Sequence, residues 1–564
     1  MERKLAWLAN QEFDLLVVGG GIGGAAIAWD AALRGLSVAL VDKGDFGHAT
    51  SANSLKIIHG GLRYLQDARL PLVRAMTRER MTWLRIAPHL VQPLACLMPA
   101  ERHLSRTPLA FRLALRALDL VNLGLAGQGG QLPKGRVLSR AEYSRLVPGS
   151  DGGSQLTGGL LWFDAQMWSS ERLLWAVVQS AVQAGAVAAN YVEARGFLRQ
   201  GSAVAGIVAE DGLTGCTFDV RAKLVVNSTG AWTDEVLQQL ETAREVKRYR
   251  LSIAMNLVTR QVIPEVAVGL PTVGAANGHG LRRKPVTLFI VPWQGHSLVG
   301  TWHQPYEGRP QDFALTPAMI QDHLDEVNAA YPPAALTRRD VRHIHLGFLP
   351  RVDGTPGESV RLVREGRVYD HARTDGVPGL MTAVNVKFTT ARLLAERTVD
   401  LALKKLGEGQ RPCRTAVTPL AGGDIEDFEQ FSQQALRRRP PAISEETIVR
   451  LVRHHGTAYR QILDYSAHMP NWAQPVGSAS PVIQAEVIHA VRAEMAVKLS
   501  DAVQRRTDVG AAGLPAEDCL EACARLMAGE LGWSEARRQA ELCEVRAGYP
   551  LEQLSQVTSY EPAG

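Results

Sequence analysis

Apolar and polar positions along this chain follow two periods, and the places where the period changes divide it into parts. Residues 15–18 form an uninterrupted apolar run, short enough for a buried strand, that leads into Gly19-x-Gly21-x-x-Gly24. An alanine-rich stretch at helical spacing follows to about Arg34, and a second apolar run, 37–41, ends at Asp42. Helical spacing returns between 65 and 90. It returns again in 107–125, TPLAFRLALRALDLVNLGL, which carries Arg112 and Arg116 just after Arg102 and Arg106. Glycines at 127–130 mark a loop. Residues 158–164 read as a strand, 165–185 as a helix, and 186–211 and 217–226 as further strands, the last feeding Asn227-Ser-Thr-Gly-Ala-Trp232. Between 248 and 345 short β-branched and aromatic runs split by turns predict an antiparallel sheet. A strand at 379–384, a helix at 391–406, a polar linker at 412–443 and an almost wholly helical segment at 444–551 complete the pattern. Proline suits the first turn of a helix predicted over 481–506.

The opening strand, glycines, helix, second strand and acidic residue occur in the order a dinucleotide fingerprint requires. Gly19 permits the tight turn, Gly21 lets backbone approach a pyrophosphate, and Gly24 lets helix and strand pack closely. The helix start offers free N–H groups to phosphate. Asp42, eighteen positions after Gly24, is suited to accept ribose hydroxyls. The fingerprint alone does not separate FAD from NAD.

A chain of 564 residues is too long for one core and predicts two or three domains. Its 46% hydrophobic and 21% charged content is ordinary for a globular protein. A net charge of +5 with no basic stripe interleaved with aromatics argues against a nucleic-acid partner. The six cysteines are scattered without a CxxC, so no metal site is expected, and Cys519 and Cys523 read as buried thiols in a reducing cytoplasm. No window offers a spanning helix, and the first residues do not read as a signal peptide.

After Asp42 comes Ala49-Thr-Ser-Ala-Asn-Ser-Leu-Lys56-Ile-Ile-His59-Gly-Gly-Leu-Arg63-Tyr64. This stretch resembles the ATS-x-x-S-x-K-x-IHGGLRYL segment of the flavin-dependent glycerol-3-phosphate dehydrogenases. The resemblance spans roughly the whole chain and is strongest at 14–65, 224–234, 346–397 and 480–510. It implies an α/β fold: a Rossmann-like FAD-binding domain in three parts (1–90, 151–235, 346–411), an inserted antiparallel-sheet substrate domain (236–345) and a C-terminal all-α domain (444–564). A helical and loop insertion occupies 91–150, and 412–443 is the linker. The cofactor implied is FAD, held by Gly19, Gly21, Ile22, Gly23, Gly24, Asp42, Lys43, Thr50, Ser51, Lys56, His59, Gly60, Gly61, Thr229, Gly230, Lys387 and Thr389.

The activity implied is oxidation of sn-glycerol 3-phosphate to dihydroxyacetone phosphate, with hydride passing to FAD N5 and electrons going on to quinone. His59 is the candidate base or flavin tuner, and Lys387 and Arg63 the electrostatic stabilisers. Arg351 and Arg367 fall where the family has its phosphate-binding arginines, whose forked donors suit an anion. The family commonly works peripherally on the membrane, so 107–125 is read either as a surface helix or as a basic patch on the inner face of the cytoplasmic membrane. Oligomeric state is open, a homodimer being compatible with the sequence.

Two departures stand out. Asn385 and Val386 stand where the family more often has glycines, and Met255 stands where it has a histidine reaching substrate. A thioether neither takes a proton nor pairs with phosphate. An oxidase or dehydrogenase of another small hydroxy acid or amine on the same scaffold therefore stays open. A non-catalytic flavoprotein is disfavoured by the intact Lys56, His59, Arg351 and Lys387. Arg505-Arg506-Thr507 and Gly510 carry the resemblance to the family's C-terminal helical domain, and for chemistry the arginine pair is read as a solvated helix end.

Overall fold

Strand Glu12–Val18 has Leu15, Leu16 and Val17 without exposed surface, because it is central in a largely parallel sheet covered on both faces. The computed structural model describes all residues but 66–67, 102–105, 125–131, 151–154, 241–248, 273–286, 353–359, 479 and 558–564, and the side chains of residues 63 and 555–557. Arg102, the glycines at 127–130 and the side chain of Arg63 thus lie outside the described residues.

Among these residues the first sheet has eight strands. Its main path runs Arg367–Asp370, Leu380–Val384, Thr217–Asn227, Glu12–Val18, Val38–Val41, Val187–Ala189, and the hairpin Val192–Gln200/Ala203–Asp211 joins Thr217–Asn227. Leu15 pairs with Val38 on one side and Leu224 on the other, so the fingerprint turn and Asn227 leave the same carboxyl edge. Helices Ile22–Leu33, Ser170–Gln183 and Ala391–Leu406 pack on one another over this sheet in one apolar core.

The second sheet has nine strands and roofs the first. Its path is Val341–Arg351, Arg250–Arg260, His296–Tyr306, Thr287–Trp293, Ala267–Pro271, Val91–Glu101, Leu156–Met167, Ile57–Ile58, with Arg136–Ser139 paired to Leu156–Met167. It therefore draws strands from the stretch expected to be helix and loop. Pro93 and Pro99 hide the strand Val91–Glu101 in the sequence. They are tolerated because Ala267–Pro271 pairs with it only at Cys96 and Leu97, between the two prolines. Leu156–Met167 also outruns the expected 158–164, and its helix starts at Ser170 rather than 165. A helix that the sequence pattern did not announce, Pro317–Ala330, covers the outer face of the roof.

The C-terminal part is helical, as expected, but two details differ. The supposed linker holds an amphipathic helix, Phe428–Arg437, whose Phe428, Phe431 and Ala435 pack on Ile448, Val452 and Tyr459. The helix expected over 481–506 is broken into Gln484–Ala493, a single turn Leu499–Asp501 and a π turn Ala502–Arg506. Cys519 and Cys523 are buried free thiols.

Candidate active site

Between the two sheets lies a cleft of about 1680 Å³, lined at one end by Gly21, Ile22 and Gly23 and at the other by His59, Tyr64 and Lys387. Sequence dictates the first end closely. Gly19 has φ +103°, and a Cβ on Gly24 would lie 1.9 Å from the Gly19 carbonyl oxygen, so turn and helix exclude side chains at both positions. The helix Ile22–Leu33 has no side-chain cap at Gly21, and Ser51 Oγ accepts the Ile22 amide at 3.1 Å. Asp42 accepts the amides of Gly20 (2.6 Å) and Gly44 (2.9 Å). Burial raises its carboxyl, opposed by His48 beside it and by those amides. Lys43 instead stacks its ammonium 4.2 Å from the Trp232 ring. Thr229 donates from its amide and hydroxyl to Asn227 Oδ1 and is absent from the cleft wall, whereas Gly230 is on it at φ +60° with open space above.

The polar stretch after Asp42 is a wall fastened from behind. Thr50 Oγ1 accepts the amide of Phe348 in the roof at 3.0 Å. Lys56, fully buried at φ +56°, donates to both carboxylate oxygens of Glu171 at 2.9 Å and to Ser170. Its ammonium thus anchors the wall against the helix Ser170–Gln183. Gly60 donates its amide to Asp164 at 2.6 Å, and Asp164 also accepts from Arg80 (2.8 Å) and Trp162 Nε1 (3.0 Å). A Cβ on Gly60 would meet the Arg80 guanidinium at 2.4 Å, and Gly61 has φ +80°. Gly60 thus seats the motif's backbone on a buried ion pair, and Gly61 supplies the left-handed turn that follows. The His59 amide is held by Thr389 Oγ1 at 3.2 Å, and Trp83 Nε1 holds the Thr389 carbonyl. Lys387 donates to Tyr64 Oη and to the Arg364 carbonyl, each at 2.8 Å. The Arg364 guanidinium lies 5.8 Å from the centre of the Tyr64 ring.

The roof supplies a correction. Successive side chains on a strand point to opposite faces. Met255, Trp302, Ile344, Leu288 and Ile290 share the outer core with Ile320 and Leu324 of Pro317–Ala330. Ala254, Asn256, Phe289, Thr301 and His303 line the cleft instead. Met255 therefore cannot stand in for a substrate-facing histidine; its neighbour Asn256 faces the cleft, its Oδ1 accepting from Thr301 at 2.8 Å, and Arg250 at the start of the same strand lines the cleft as well. Gly300 leaves room for it, since a Cβ there would lie 2.1 Å from Asn256 Oδ1. A lone asparagine inside an apolar strand was the available signal.

The two arginines expected at the anion differ. Arg367 lines the cleft at the start of Arg367–Asp370. Arg351, only 10% exposed, donates from Nε to the Leu251 carbonyl at 3.0 Å and forms an ion pair with Glu307 through Nη2. Arg361 and Arg364 line the cleft too. Elsewhere, His455, His489 and Glu494 cluster closely enough to suggest a cation site among the described residues. Arg172, however, spans both Glu494 oxygens (2.6 and 2.9 Å) and donates to His455 Nδ1 (3.1 Å), so a guanidinium occupies that position.

The cleft's lining fits FAD: Gly21, Ile22 and Gly23 bring the start of Ile22–Leu33 to it, Gly230 leaves backbone uncovered, and Asn385 presents an acceptor, its Oδ1 buried on the wall without a partner. A parallel sheet with the fingerprint at its carboxyl edge, under a mixed roof sheet, defines a flavoprotein oxidoreductase. Residues 14–401 match the FAD dependent oxidoreductase family, and 413–538 match the C-terminal domain of alpha-glycerophosphate oxidase. The chain is 32% identical to a glycerol-3-phosphate dehydrogenase of Synechocystis sp. over 90% of both chains. It is 31% identical to the mitochondrial glycerol-3-phosphate dehydrogenase of Mesocricetus auratus, over 96% of this chain and 74% of that one. The structure of the Bacillus halodurans glycerol-3-phosphate dehydrogenase complexed with FAD shares the fold, with a TM-score of 0.76, 24% identity and coverage of 99% and 98%. The chain belongs to the FAD-dependent glycerol-3-phosphate dehydrogenase family.

Proposed function

We propose that this enzyme oxidises the secondary hydroxyl of sn-glycerol 3-phosphate to give dihydroxyacetone phosphate, and that the electrons leave to a quinone at a membrane surface. The observation that carries the reading is the grouping of His59, Tyr64 and Lys387 on one cleft wall, with Arg361, Arg364 and Arg367 lining the same cleft. The names of the relatives supply the substrate.

Bound FAD supplies the two-electron oxidant. His59, its backbone fixed by Thr389, takes the hydroxyl proton. Lys387, oriented by Tyr64 and the Arg364 carbonyl, offers its positive charge to the phosphate, and Arg364 adds a forked donor. Arg351 reaches the anion only by exchanging Glu307 for it, so Lys387 and Arg364 make the first contact. Asn256 and Thr301 orient the substrate from the roof. Gly21, Ile22, Gly23, Ser51, Gly230 and Asn385 hold the cofactor.

Helix Pro108–Val121 buries only Phe111 and exposes Leu109, Leu113 and Leu120, with Leu123 just beyond and Arg112 and Arg116 on the surface. Leu113, Ala114 and Ala117 also line the cleft. An apolar face flanked by arginines, continuous with the cleft mouth, suits an anionic bilayer surface from which a quinone enters. Among the described residues no helix is long and apolar enough to cross a membrane.

The test is steady-state turnover with a soluble quinone analogue against sn-glycerol 3-phosphate, glycerol, small hydroxy acids and amines. The phosphorylated substrate should dominate. Preference for an unphosphorylated hydroxy acid or an amine would overturn the assignment in favour of the other oxidation chemistry on this scaffold.

A further inference from the structure

Arg505 and Arg506, far from the cleft in sequence, are not solvated. Both guanidiniums are buried against one carboxylate, Asp45, which lies in the segment joining Asp42 to Ser51. Asp45 Oδ2 accepts from Arg505 Nε (2.6 Å) and Arg506 Nη1 (2.8 Å), and Oδ1 accepts from Arg506 Nη2 (2.7 Å) and Asn190 (2.9 Å). Arg505 Nη2 goes on to Asp501 (2.8 Å), which also accepts the Tyr191 hydroxyl (2.6 Å), so two carboxylates balance two guanidiniums. Burial alone would raise the Asp45 carboxyl, but the two arginines outweigh it and hold it ionised. Consecutive residues of an α-helix diverge by about 100° around its axis. Here the π turn Ala502–Arg506, closed by the Thr507 amide on the Ala502 carbonyl at 3.0 Å, accompanies the convergence of both side chains on one acid.

A second line of contact runs beside the first. The Arg506 guanidinium stacks 3.9 Å from the centre of the Trp175 ring, and Trp175 packs on Phe46 at 6.0 Å. The Phe46 ring covers Gly20, where a Cβ would lie 2.3 Å from it. The segment 42–51 carries Asp42, which holds the Gly20 and Gly44 amides, and Ser51, which holds Ile22. Both ends of the segment thus touch the fingerprint, and its middle is gripped by the C-terminal domain.

We propose that the C-terminal helical domain is a cofactor-retention clamp, Arg505 and Arg506 acting as positioning residues that fix the 42–51 segment, through Asp45, in the shape that binds the ADP half of FAD. The domain then contributes to FAD affinity without touching the reacting carbon. Binding is linked to docking: whatever loosens the clamp loosens the cofactor, and by reciprocity FAD tightens the domain contact.

The test strips FAD from the full chain and titrates it back, reading flavin fluorescence, with the folded state checked by circular dichroism and melting. Arg506→Lys and Arg505→Lys keep the charge but lose the fork. Each should raise the FAD Kd at least about tenfold, the change that misaligned forked contacts to a carboxylate imply. Arg450→Lys is the control, since Arg450 pairs with Glu486 at a buried site in the same domain and does not touch Asp45. It should shift Kd less than about threefold while lowering the melting temperature. If Arg506→Lys does not fold, Arg505→Lys, at the more exposed of the two side chains, carries the test. An unchanged Kd in the folded clamp variants, or an equal rise in Arg450→Lys, would overturn the proposal. No substrate enters this measurement, so its failure is distinct from failure of the proposed reaction.

Discussion

The ammonium of Lys387 lies 2.8 Å from the phenolic oxygen of Tyr64, joining the strand-to-helix turn before Ala391–Leu406 to the 3-10 turn Leu62–Leu65 on one wall of the cleft. The contact fixes a cation on the wall shared with His59. Lys387→Met should lower kcat/KM for glycerol 3-phosphate by about 10- to 100-fold, from charge-assisted bonds worth roughly 1.5–3 kcal/mol. Tyr64→Phe, which removes only the orienting hydroxyl, should cost about tenfold or less. Neutral glycerol should suffer less in both variants. Equal losses on both substrates, measured side by side, would show that Lys387 does not meet the anion.

The roof's two faces give a paired test. Asn256→Ala removes the cleft-facing amide and should raise KM or lower kcat by about tenfold, with little change in melting. Met255→Leu repacks the outer core and should cost less than about 1.5 kcal/mol of stability while leaving kinetics alone. Kinetic damage in Met255→Leu with none in Asn256→Ala would reverse the facing.

The contrast between these two neighbours shows what the sequence made legible. The fingerprint could be read because Gly19, Gly21, Gly24 and Asp42 act through local backbone geometry, and a short stretch holds the whole device. Facing on a strand depends on what covers each side, and the helix Pro317–Ala330 that covers Met255 lies some sixty residues away. Asp164 escaped notice for a similar reason: it receives the Gly60 amide across 104 residues of sequence, and its partner Arg80 is 84 residues away from it. Arg505 and Arg506 look like a solvated end in any local window. Their partner is 460 positions earlier. Phe428–Arg437 was hidden by the prolines and arginines behind it, although Phe428, Phe431 and Ala435 already carry helical spacing.

The exposed leucines of Pro108–Val121 make the membrane reading quantitative. Each leucine entering a bilayer surface contributes up to roughly 1.5–3 kcal/mol, so Leu109→Ser, Leu113→Ser and Leu120→Ser together should cut partitioning onto vesicles on the order of a hundredfold or more. Arg112→Glu with Arg116→Glu should abolish the preference for anionic over neutral lipid. Sedimentation with vesicles of both kinds reads both effects. Binding by the parent no stronger than by the leucine variant would return the helix to an ordinary surface.

Histidines held neutral in the fold contribute to the loss of stability in acid. Burial pushes His89, His323 and His455 down to about 3 and His343 to about 4, from the ordinary 6.5. Below 6.5 the unfolded chain takes up protons at these residues that the folded chain refuses, so their contribution to stability falls as pH falls from 6.5 toward 4 and is constant above 6.5. His323, in the roof core with His303 nearby, adds roughly 1.4 kcal/mol per pH unit in that window. His323→Leu should flatten the slope of denaturant-measured stability between pH 6 and 4.5 by about that amount. A slope identical to the parent's would mean His323 is protonated when folded.

The most direct measurement mixes FAD-loaded protein anaerobically with sn-glycerol 3-phosphate and follows flavin absorbance in a single turnover, then assays the quenched mixture for dihydroxyacetone phosphate. Bleaching should be complete, with one equivalent of product per flavin, and glycerol at equal concentration should bleach far more slowly. A flavin that stays oxidised with glycerol 3-phosphate but bleaches with a small amine or an unphosphorylated hydroxy acid would contradict the assignment.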